Sequence, residues 1–303
     1  MYDVIIIGSG SAGLNASLYA ARAGLKTLII EKEPITGGQI ALSSIVENWL
    51  GEKSISGSKL VEKFTEHVSS FGVEIKQFTE VISVELEGEV KKIKTSSEEF
   101  QSKVIVIATG SREKKLGISG EEEFKGKGVS YCALCDAGFF KGKEVAIIGG
   151  GNTALEESEY LSKFASKIYI IHRRNELKAE KIILEKAKKN KNLEFILNTT
   201  VSEITGNKQV EKIKLKNVET GKESFLDVSG VFVFVGMIPN SELFQNIKKD
   251  EHGYIISDEY MQTNVPGVFV AGDVRKQPIN QLITAAADGA IAAVSAYKYL
   301  SEK

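Results

Sequence analysis

The sequence predicts an α/β protein built from two Rossmann-like, three-layer ββα nucleotide-binding units. Two observations predict the fold. An apolar strand, a glycine-rich turn, a helical pattern and a second apolar strand follow one another between Val4 and Glu31, and the same series returns between Lys143 and His172. A third observation gives the units a chemistry. The only cysteines, Cys132 and Cys135, stand fourteen residues ahead of the second glycine cluster. A C-x-x-C pair closes a small disulfide ring and suits reversible thiol exchange.

Val4–Ile7 is a run of large aliphatic side chains, the signature of a strand buried on both faces of a parallel sheet. Gly8-Ser9-Gly10-Ser11-Ala12-Gly13 then meets the dinucleotide fingerprint. Gly8 permits the tight turn, Gly10 lets a pyrophosphate approach the backbone, and Gly13 lets helix and strand pack closely. Ser11 and Ala12 open the helix, whose first amides and positive dipole end suit phosphate. The helix runs to about Ala23. The next strand, Lys26–Ile30, ends at Glu31, eighteen residues after Gly13, where an acid accepts hydrogen bonds from ribose hydroxyls.

Lys143–Ile148 is the second such strand. Its turn reads Gly149-Gly150-Gly151-Asn152-Thr153-Ala154, with alanine in the third glycine's place, ahead of a helix to about Phe164 and a strand at Lys167–Ile171. In the position of Glu31 this copy has His172-Arg173-Arg174. An acid repels a 2′-phosphate, whereas arginine pairs with it in bidentate fashion, so the second site reads as one for NADP(H). His172 reads as a packing neighbour rather than a base. The first site then takes a different dinucleotide, most simply FAD. Two segments support that: the polar turn Gly37-Gly38-Gln39, and the strand Gly267–Ala271 ending in Gly272-Asp273 ahead of a helix from about Asn280 to Leu300.

Other segments are plainer. Glu74–Ile93 alternates apolar and polar residues, as antiparallel strands do. Glu121-Glu122-Glu123 reads as an exposed turn, and Lys186, Lys188, Lys189 and Lys191 as a solvated helix end. The chain has 303 residues, 42% hydrophobic and 26% charged, enough for two ordinary cores. Its net charge of −1 gives no electrostatic reason to expect nucleic acid or a membrane surface as partner. Two cysteines make no disulfide framework, and the three histidines lie far from the pair in sequence, so no metal is expected. No run approaches the roughly 18 apolar residues of a membrane span. The N-terminus shows no basic region with a cleavage site, and a cytoplasmic location is expected.

Taken together, these residues resemble the pyridine nucleotide-disulfide oxidoreductases, and within them the bacterial low-molecular-weight (class II) thioredoxin reductases. The resemblance runs from Gly8 to Leu300. It is carried by Gly38-Gln39, Glu47-Asn48-Trp49, Ala108-Thr109-Gly110, Cys132-x-x-Cys135-Asp136, Gly149-Gly150-Gly151-Asn152, His172-Arg173-Arg174 and Ala271-Gly272-Asp273. It implies a discontinuous FAD domain, residues 1–113 and 242–303, with an NADPH domain, residues 114–241, inserted into it and carrying the dithiol. It also implies a homodimer formed mainly by FAD domains, and a large rotation between domains.

Carried over position by position, FAD would be held by Gly8, Gly10, Ser11, Ala12, Gly13, Glu31, Lys32, Gly38, Gln39, Asn48, Ala108, Thr109, Gly110, Gly272, Asp273, Gln281 and Leu282. NADPH would be held by Gly149, Gly151, Asn152, Thr153, Ala154, Glu157, His172, Arg173, Arg174 and Lys178. The implied activity is NADPH-dependent reduction of thioredoxin: hydride passes from NADPH to FAD, then to the Cys132–Cys135 disulfide, which exchanges with thioredoxin. Cys135 would be the sulfur next to the flavin, Cys132 the interchange thiol and Asp136 the acid/base. Another small redox protein, glutaredoxin-like or from a peroxiredoxin system, is the alternative acceptor. The chain departs from the family pattern at Lys178, where a third arginine is frequent, and at Leu134, Leu50 and Asn280.

Overall fold

Four buried aliphatic side chains, Val4 to Ile7, make the first strand the axis of the first unit. Burying each contributes about 1.5–3 kcal/mol. The computed structural model describes residues 1–43 and 45–302, apart from the side chain of Leu134. In chain order the first elements are β1 (Tyr2–Ile7), α1 (Ser11–Arg22), β2 (Thr27–Ile30), α2 (Gly57–Ser69), β3 (Glu74–Lys76), β4 (Val81–Glu85), β5 (Lys91–Thr95), β6 (Glu99–Ile107) and β7 (Ser111–Glu113). There follow β8 (Val129–Ser130), α3 (Ala133–Asp136), β9 (Glu144–Gly149), α4 (Asn152–Leu161), β10 (Lys167–Ile171), α5 (Lys181–Lys189) and β11 (Leu193–Ile196). The chain closes with β12 (Thr199–Gly206), β13 (Val210–Asn217), β14 (Glu223–Asp227), β15 (Gly230–Phe234), β16 (Met237–Pro239), β17 (Val268–Val270) and α6 (Leu282–Ser301).

Two compact units result. One joins Met1–Arg112 to Ile238–Lys303, and the other is Glu113–Met237. The chain re-enters the first unit just ahead of Asn240, whose N–H donates to the Gly110 carbonyl at 2.9 Å and whose own carbonyl accepts the Thr109 hydroxyl at 2.7 Å.

In the first unit the sheet order is β3-β2-β1-β6-β5-β4, with β17 also on β6. β6 is shared by two neighbours along one edge. Glu99–Ser102 pair antiparallel with β5, and Ile105–Ile107 pair parallel with β17. Val4 and Ile6 face a core of α1 and α6 side chains, while Ile5 and Ile7 face a second core with Ile93, Phe100, Phe244 and Ile255. That is the period-two alternation of a strand covered on both sides. The α1 and α6 contact surfaces are built from small residues, among them Ala12, Ala16 and Ala20 against Ala285, Ala292 and Ala296. A methyl on Gly289 would lie 2.1 Å from the Ala12 carbonyl oxygen, so the helices touch backbone to backbone there.

The second unit repeats the plan. Its sheet, β11-β10-β9-β15-β8, is parallel throughout. Ala154, Leu155, Leu161 and Ala187 from α4 and α5 cover one face. The antiparallel β12-β13-β14 sheet covers the other through Val201, Ile204, Ile213 and Leu215.

Two sequence expectations are corrected. Within Glu74–Ile93 only β4 and β5 are antiparallel, whereas β3 lies parallel to β2, with Glu74 opposite Leu28. β3 follows the crossover helix α2, and a strand returning from such a crossover to the same sheet lies parallel. Glu121 is not in an exposed turn but is 1% exposed, because three donors converge on its carboxylate. Among the described residues no helix is long and apolar enough to cross a membrane.

Candidate active site

β1, β6 and β17 end side by side, with Ile7 opposite Ile107 and Ile107 opposite Val270. The three segments that leave these strand ends therefore emerge together: Gly8–Gly13, Ala108–Gly110 and Ala271–Asp273. Gly8, at φ +102°, would place a Cβ 2.4 Å from the Ala108 carbonyl oxygen, and Gly13 would place one 2.0 Å from the Gly8 carbonyl oxygen. Only glycine fits at these two positions. Gly10 differs, because a methyl there would meet nothing within 4 Å. The open face beside the first amides of α1 is the cradle a pyrophosphate requires.

The remaining residues expected at this site gather around that turn. The Gly37 N–H donates to the Ser9 carbonyl at 2.9 Å, which brings Gly38 to the Gly10 backbone. Gln39 donates to the Ser111 carbonyl at 2.7 Å, and Asn48 donates to the Gln281 side chain at 2.9 Å. Gln281 caps α6 in a capping box with Thr284, with Leu282 half-buried behind it. Lys32 is exposed beside Glu33. Glu31 is buried and already accepts three donors: the Ser9 N–H at 2.9 Å, the Ser9 hydroxyl at 2.6 Å and the Glu33 N–H at 3.0 Å. It fastens the glycine turn to the end of β2, and its Oε1 retains a lone pair for a further donor.

Asp273 stands at the rim of the turn. Burial, with the Asp288 carboxylate adding to it, pushes its carboxyl up to about 6. Asp288 and Arg275 were not legible as site residues. Asp288, 5% exposed in α6, accepts Arg275 Nε at 2.7 Å, Arg275 Nη2 at 3.0 Å and the Gly272 N–H at 3.0 Å. This bidentate pair fixes the Gly272-Asp273 turn, and removing one partner of so buried a pair costs about 3–5 kcal/mol. The one signal in the sequence is an acid in the middle of the run Ala285-Ala286-Ala287-Asp288-Gly289-Ala290.

In the second unit, Gly149 would place a Cβ 2.4 Å from the Phe234 carbonyl oxygen, and Ala154 occupies the third glycine's position against it. Gly151, like Gly10, leaves its Cβ direction empty to 4 Å. Asn152 and Glu180 exchange two hydrogen bonds, at 2.9 and 2.8 Å, and Thr153 is exposed at the start of α4. At the end of β10, Arg173, Arg174 and Lys178 are exposed, and among the described residues none of them is ion-paired. His172 lies behind them with its ring against Gly150. Its Nε2 is buried without a partner among the described residues, and burial, then Arg174 and Arg173, hold its pKa below the usual imidazole value. It packs against the turn, and that lowering favours its neutral form. A glycine turn beside three unpaired cations fits a phosphorylated dinucleotide.

The same unit carries the disulfide. Cys132 and Cys135 are bonded, with Sγ–Sγ 2.12 Å and Cα–Cα 5.4 Å. Cys132 is the N-cap of α3, and its Sγ accepts the Cys135 N–H at 3.1 Å. The Glu157 carboxylate, on α4, accepts the Ala133 N–H, while burial and Glu156 raise its pKa. Asp136 is half-buried and unpaired among the described residues. Phe139, four residues past Cys135, is 73% exposed. The side chain of Leu134 lies outside the described residues.

Two sheets with parallel strands at their centre, each carrying a glycine turn open at its second glycine, with a dithiol in the same unit as one of them, define a dinucleotide-dependent disulfide oxidoreductase. Residues 2–289 match the family described as pyridine nucleotide-disulphide oxidoreductase, and the chain belongs to that family. It is 47% identical over 308 residues to a thioredoxin reductase of Peptoclostridium acidaminophilum, covering 99% of this chain and 97% of that one. It is 44% identical over 304 residues to the thioredoxin reductase of Bacillus subtilis (strain 168), covering 100% and 96%. Among solved structures, Lactococcus lactis thioredoxin reductase in its FR conformation superposes at TM-score 0.97 with 43% identity and full coverage of both chains. The T. acidophilum thioredoxin reductase superposes at 0.94 with 38% identity, covering 100% of this chain and 99% of that one.

Because no atom of the described residues lies within 4 Å of a Cβ at Gly10 or Gly151, Gly10→Ala and Gly151→Ala are expected to keep the stability of the ligand-free protein within about 1 kcal/mol. Each is expected to weaken dinucleotide binding at its own turn by about tenfold or more, since the methyl takes the space of the pyrophosphate. Urea unfolding paired with equilibrium titration checks this. Equal loss of stability and binding would place the methyl against protein instead.

Proposed function

We propose that the protein reduces the disulfide of thioredoxin with electrons from NADPH, through FAD held in the first unit. The observation that carries this reading is the Cys132–Cys135 disulfide in the same unit as the cation-rimmed glycine turn. Near-half identity to thioredoxin reductases over the whole chain supports it. The residues of the first site fit FAD: an open pyrophosphate cradle at Gly10, a buried acid at Glu31, and Asp273 directly after Gly272, which packs on Ala12 of α1. Those of the second fit NADPH: an open cradle at Gly151 with Arg173, Arg174 and Lys178 for the 2′-phosphate. The chemistry a bound FAD supplies is acceptance of a hydride from NADPH and delivery of its electron pair to a disulfide.

The chain's own residues then act on sulfur. With the disulfide open, the Cys135 N–H aimed at Cys132 Sγ favours negative charge there, so Cys132 is the attacking thiolate. It bonds to one sulfur of the partner disulfide, and the other partner sulfur leaves and takes a proton. Cys135 then attacks Cys132 Sγ, re-forms the internal disulfide and releases the second partner thiol. Asp136, one residue beyond Cys135, half-buried and unpaired among the described residues, exchanges the protons. Phe139 offers an exposed apolar anchor for a protein substrate. The cytoplasm, with its reducing pool, is the compartment in which such a catalytic pair works.

The purified yellow protein is expected to reduce thioredoxin with NADPH well ahead of NADH. Cys135→Ser is expected to abolish that turnover while NADPH still bleaches the flavin. Bleaching without thioredoxin reduction by the native enzyme would move the acceptor to a glutaredoxin-like or peroxiredoxin-system partner. Thioredoxin turnover by Cys135→Ser would overturn the scheme.

Asp273 sets a pH dependence. Its folded value of about 6 exceeds the ordinary 3.8, so its protonated form favours the empty fold and that contribution is lost as pH rises through 6. Ligand hydroxyls that donate to the carboxylate favour its ionised form. Flavin retention is therefore expected to weaken as pH falls through about 6, and Asp273→Asn to flatten the profile. Fluorescence of FAD released on ultrafiltration reads both. A profile unchanged in the variant would remove Asp273 from flavin binding.

A homodimer is proposed on one face of α6. Ile283, Ile291, Val294 and Tyr297 follow the helical repeat and are each 38–49% exposed, a continuous apolar stripe suited to a second copy. Sedimentation is expected to give twice the 33.0 kDa chain mass, and Val294→Glu to give the monomer. A native monomer would remove the proposal.

A further inference from the structure

The residue before the first cysteine is tied to a buried carboxylate. Glu121 Oε1 accepts the Tyr131 hydroxyl at 2.6 Å and the Leu116 N–H at 2.8 Å, while Oε2 accepts the Gly117 N–H at 2.7 Å. Both oxygens are engaged, and the side chain is 1% exposed. Burial, then the bond to Glu121, raises the Tyr131 pKa above the phenol's usual value, so the hydroxyl remains a donor at neutral pH. One residue earlier, the Ser130 hydroxyl accepts the Cys132 N–H and donates to the Cys132 carbonyl, both at 3.1 Å. Ser130 itself is held in β8, opposite Phe232 of β15.

We propose that the Tyr131–Glu121 hydrogen bond is a positioning contact that keeps Cys132 at the N-cap of α3 once the disulfide is open. While the bond exists, two sulfurs fix Cys132 against Cys135. Reduction removes that link. Cys132 Sγ then accepts the Cys135 N–H only if residue 132 keeps its extended backbone, φ −142° and ψ 103°. A residue is held at those angles from the side that precedes it, by Ser130 and Tyr131. The Cys135 N–H and the start of α3 favour the thiolate, so a displaced Cys132 is a weaker nucleophile. Charged groups nearby are Asp136 on α3, Glu157 on α4 with Glu156 beside it, and, around Tyr131, Glu122, Glu113 and Lys125, whose Nζ is 5.8 Å from the ring centre. None of them donates to Cys132, so the backbone amide is the group that positioning preserves.

The inference rests on Cys132 being the interchange sulfur, and its test does not require thioredoxin. Tyr131→Phe keeps the ring and deletes only the hydroxyl. Native and variant full-length holoenzyme, reduced with excess dithiothreitol and desalted without oxygen, are labelled with iodoacetamide across a pH series. Label at each cysteine is read by peptide mass. In the variant, the pH midpoint for Cys132 is expected to rise and its neutral-pH labelling to slow about threefold, as a thiolate fraction does when its pKa climbs by about half a unit. Cys135 labelling and the melting temperature are expected to stay put. Glu121→Gln is expected to move Cys132 in the same direction. Superimposable Cys132 profiles in native and Tyr131→Phe enzyme would overturn the proposal, whatever the thioredoxin activity. A shifted profile in a protein that reduces no thioredoxin would uphold it and overturn the functional reading alone.

Discussion

A methyl group on Gly13 would stand 2.0 Å from the carbonyl oxygen of Gly8, and one on Gly8 would stand 2.4 Å from that of Ala108. These two approaches press the first turn of α1 onto the ends of β1 and β6. Everything else at the first site is arranged around that contact. Because the helix begins so close to the sheet, its free amides face the space above the strand ends rather than a loop. Because β6 and β17 end in the same row, the segments Ala108–Gly110 and Ala271–Asp273 start beside that space with no long connection. Gly289 repeats the device where α6 meets α1, since a methyl there would strike the Ala12 carbonyl at 2.1 Å and drive α6 off. A stack of backbone contacts that admits no side chain is rigid, and a ligand held by amides needs that rigidity more than it needs any one side chain.

The two units share this scaffold and differ in charge. At the end of β2 stands Glu31, buried and bound to Ser9. At the end of β10 stand Arg173 and Arg174, exposed and without an ion-pair partner among the described residues. The difference in burial follows from solvation. A carboxylate that accepts three local donors tolerates burial, while a guanidinium without a carboxylate beside it keeps its water. His172, between scaffold and cations, has its pKa lowered chiefly by burial, so the cationic cluster is a pure arginine–lysine one. Charge selection thus lives in a few side chains beyond the strand ends, and the fold itself is indifferent to it.

Much of this is legible in the sequence, for physical reasons that can be named. The two glycine turns announce themselves because close backbone approach excludes every other residue type, and Gly8, Gly13 and Gly149 each meet a carbonyl where a Cβ would be. Asn48 and Gln281, 233 residues apart, were joined only through resemblance, and the structure links them at 2.9 Å. Glu121 was misread, because three consecutive glutamates look alike until the donors of Leu116, Gly117 and Tyr131 single out the first. Asp288 was passed over for the converse reason. Its partner Arg275 lies thirteen residues back, across a turn that helical or strand periodicity does not follow. β3 was assigned to the wrong kind of pairing because three residues, Glu74 to Lys76, are too few for alternation to mean anything. Local backbone constraints write themselves into sequence, whereas long-range polar partners do not.

The dithiol shows what that second kind of constraint is for. A disulfide across C-x-x-C closes so short a loop that it removes little freedom from the unfolded chain, and the fold gains little from it. Its neighbours are held by groups that do not change on reduction: β8 on β15, Ser130 on Cys132, Glu121 on Tyr131, and Glu157 on the Ala133 amide. Three of these four anchors are polar and lie within the same unit as the pair. The sulfur–sulfur bond is therefore left out of the structural framework. A bond on which the fold does not depend can be made and broken in every catalytic cycle, with the surrounding backbone as the fixed jig against which the two sulfurs exchange partners.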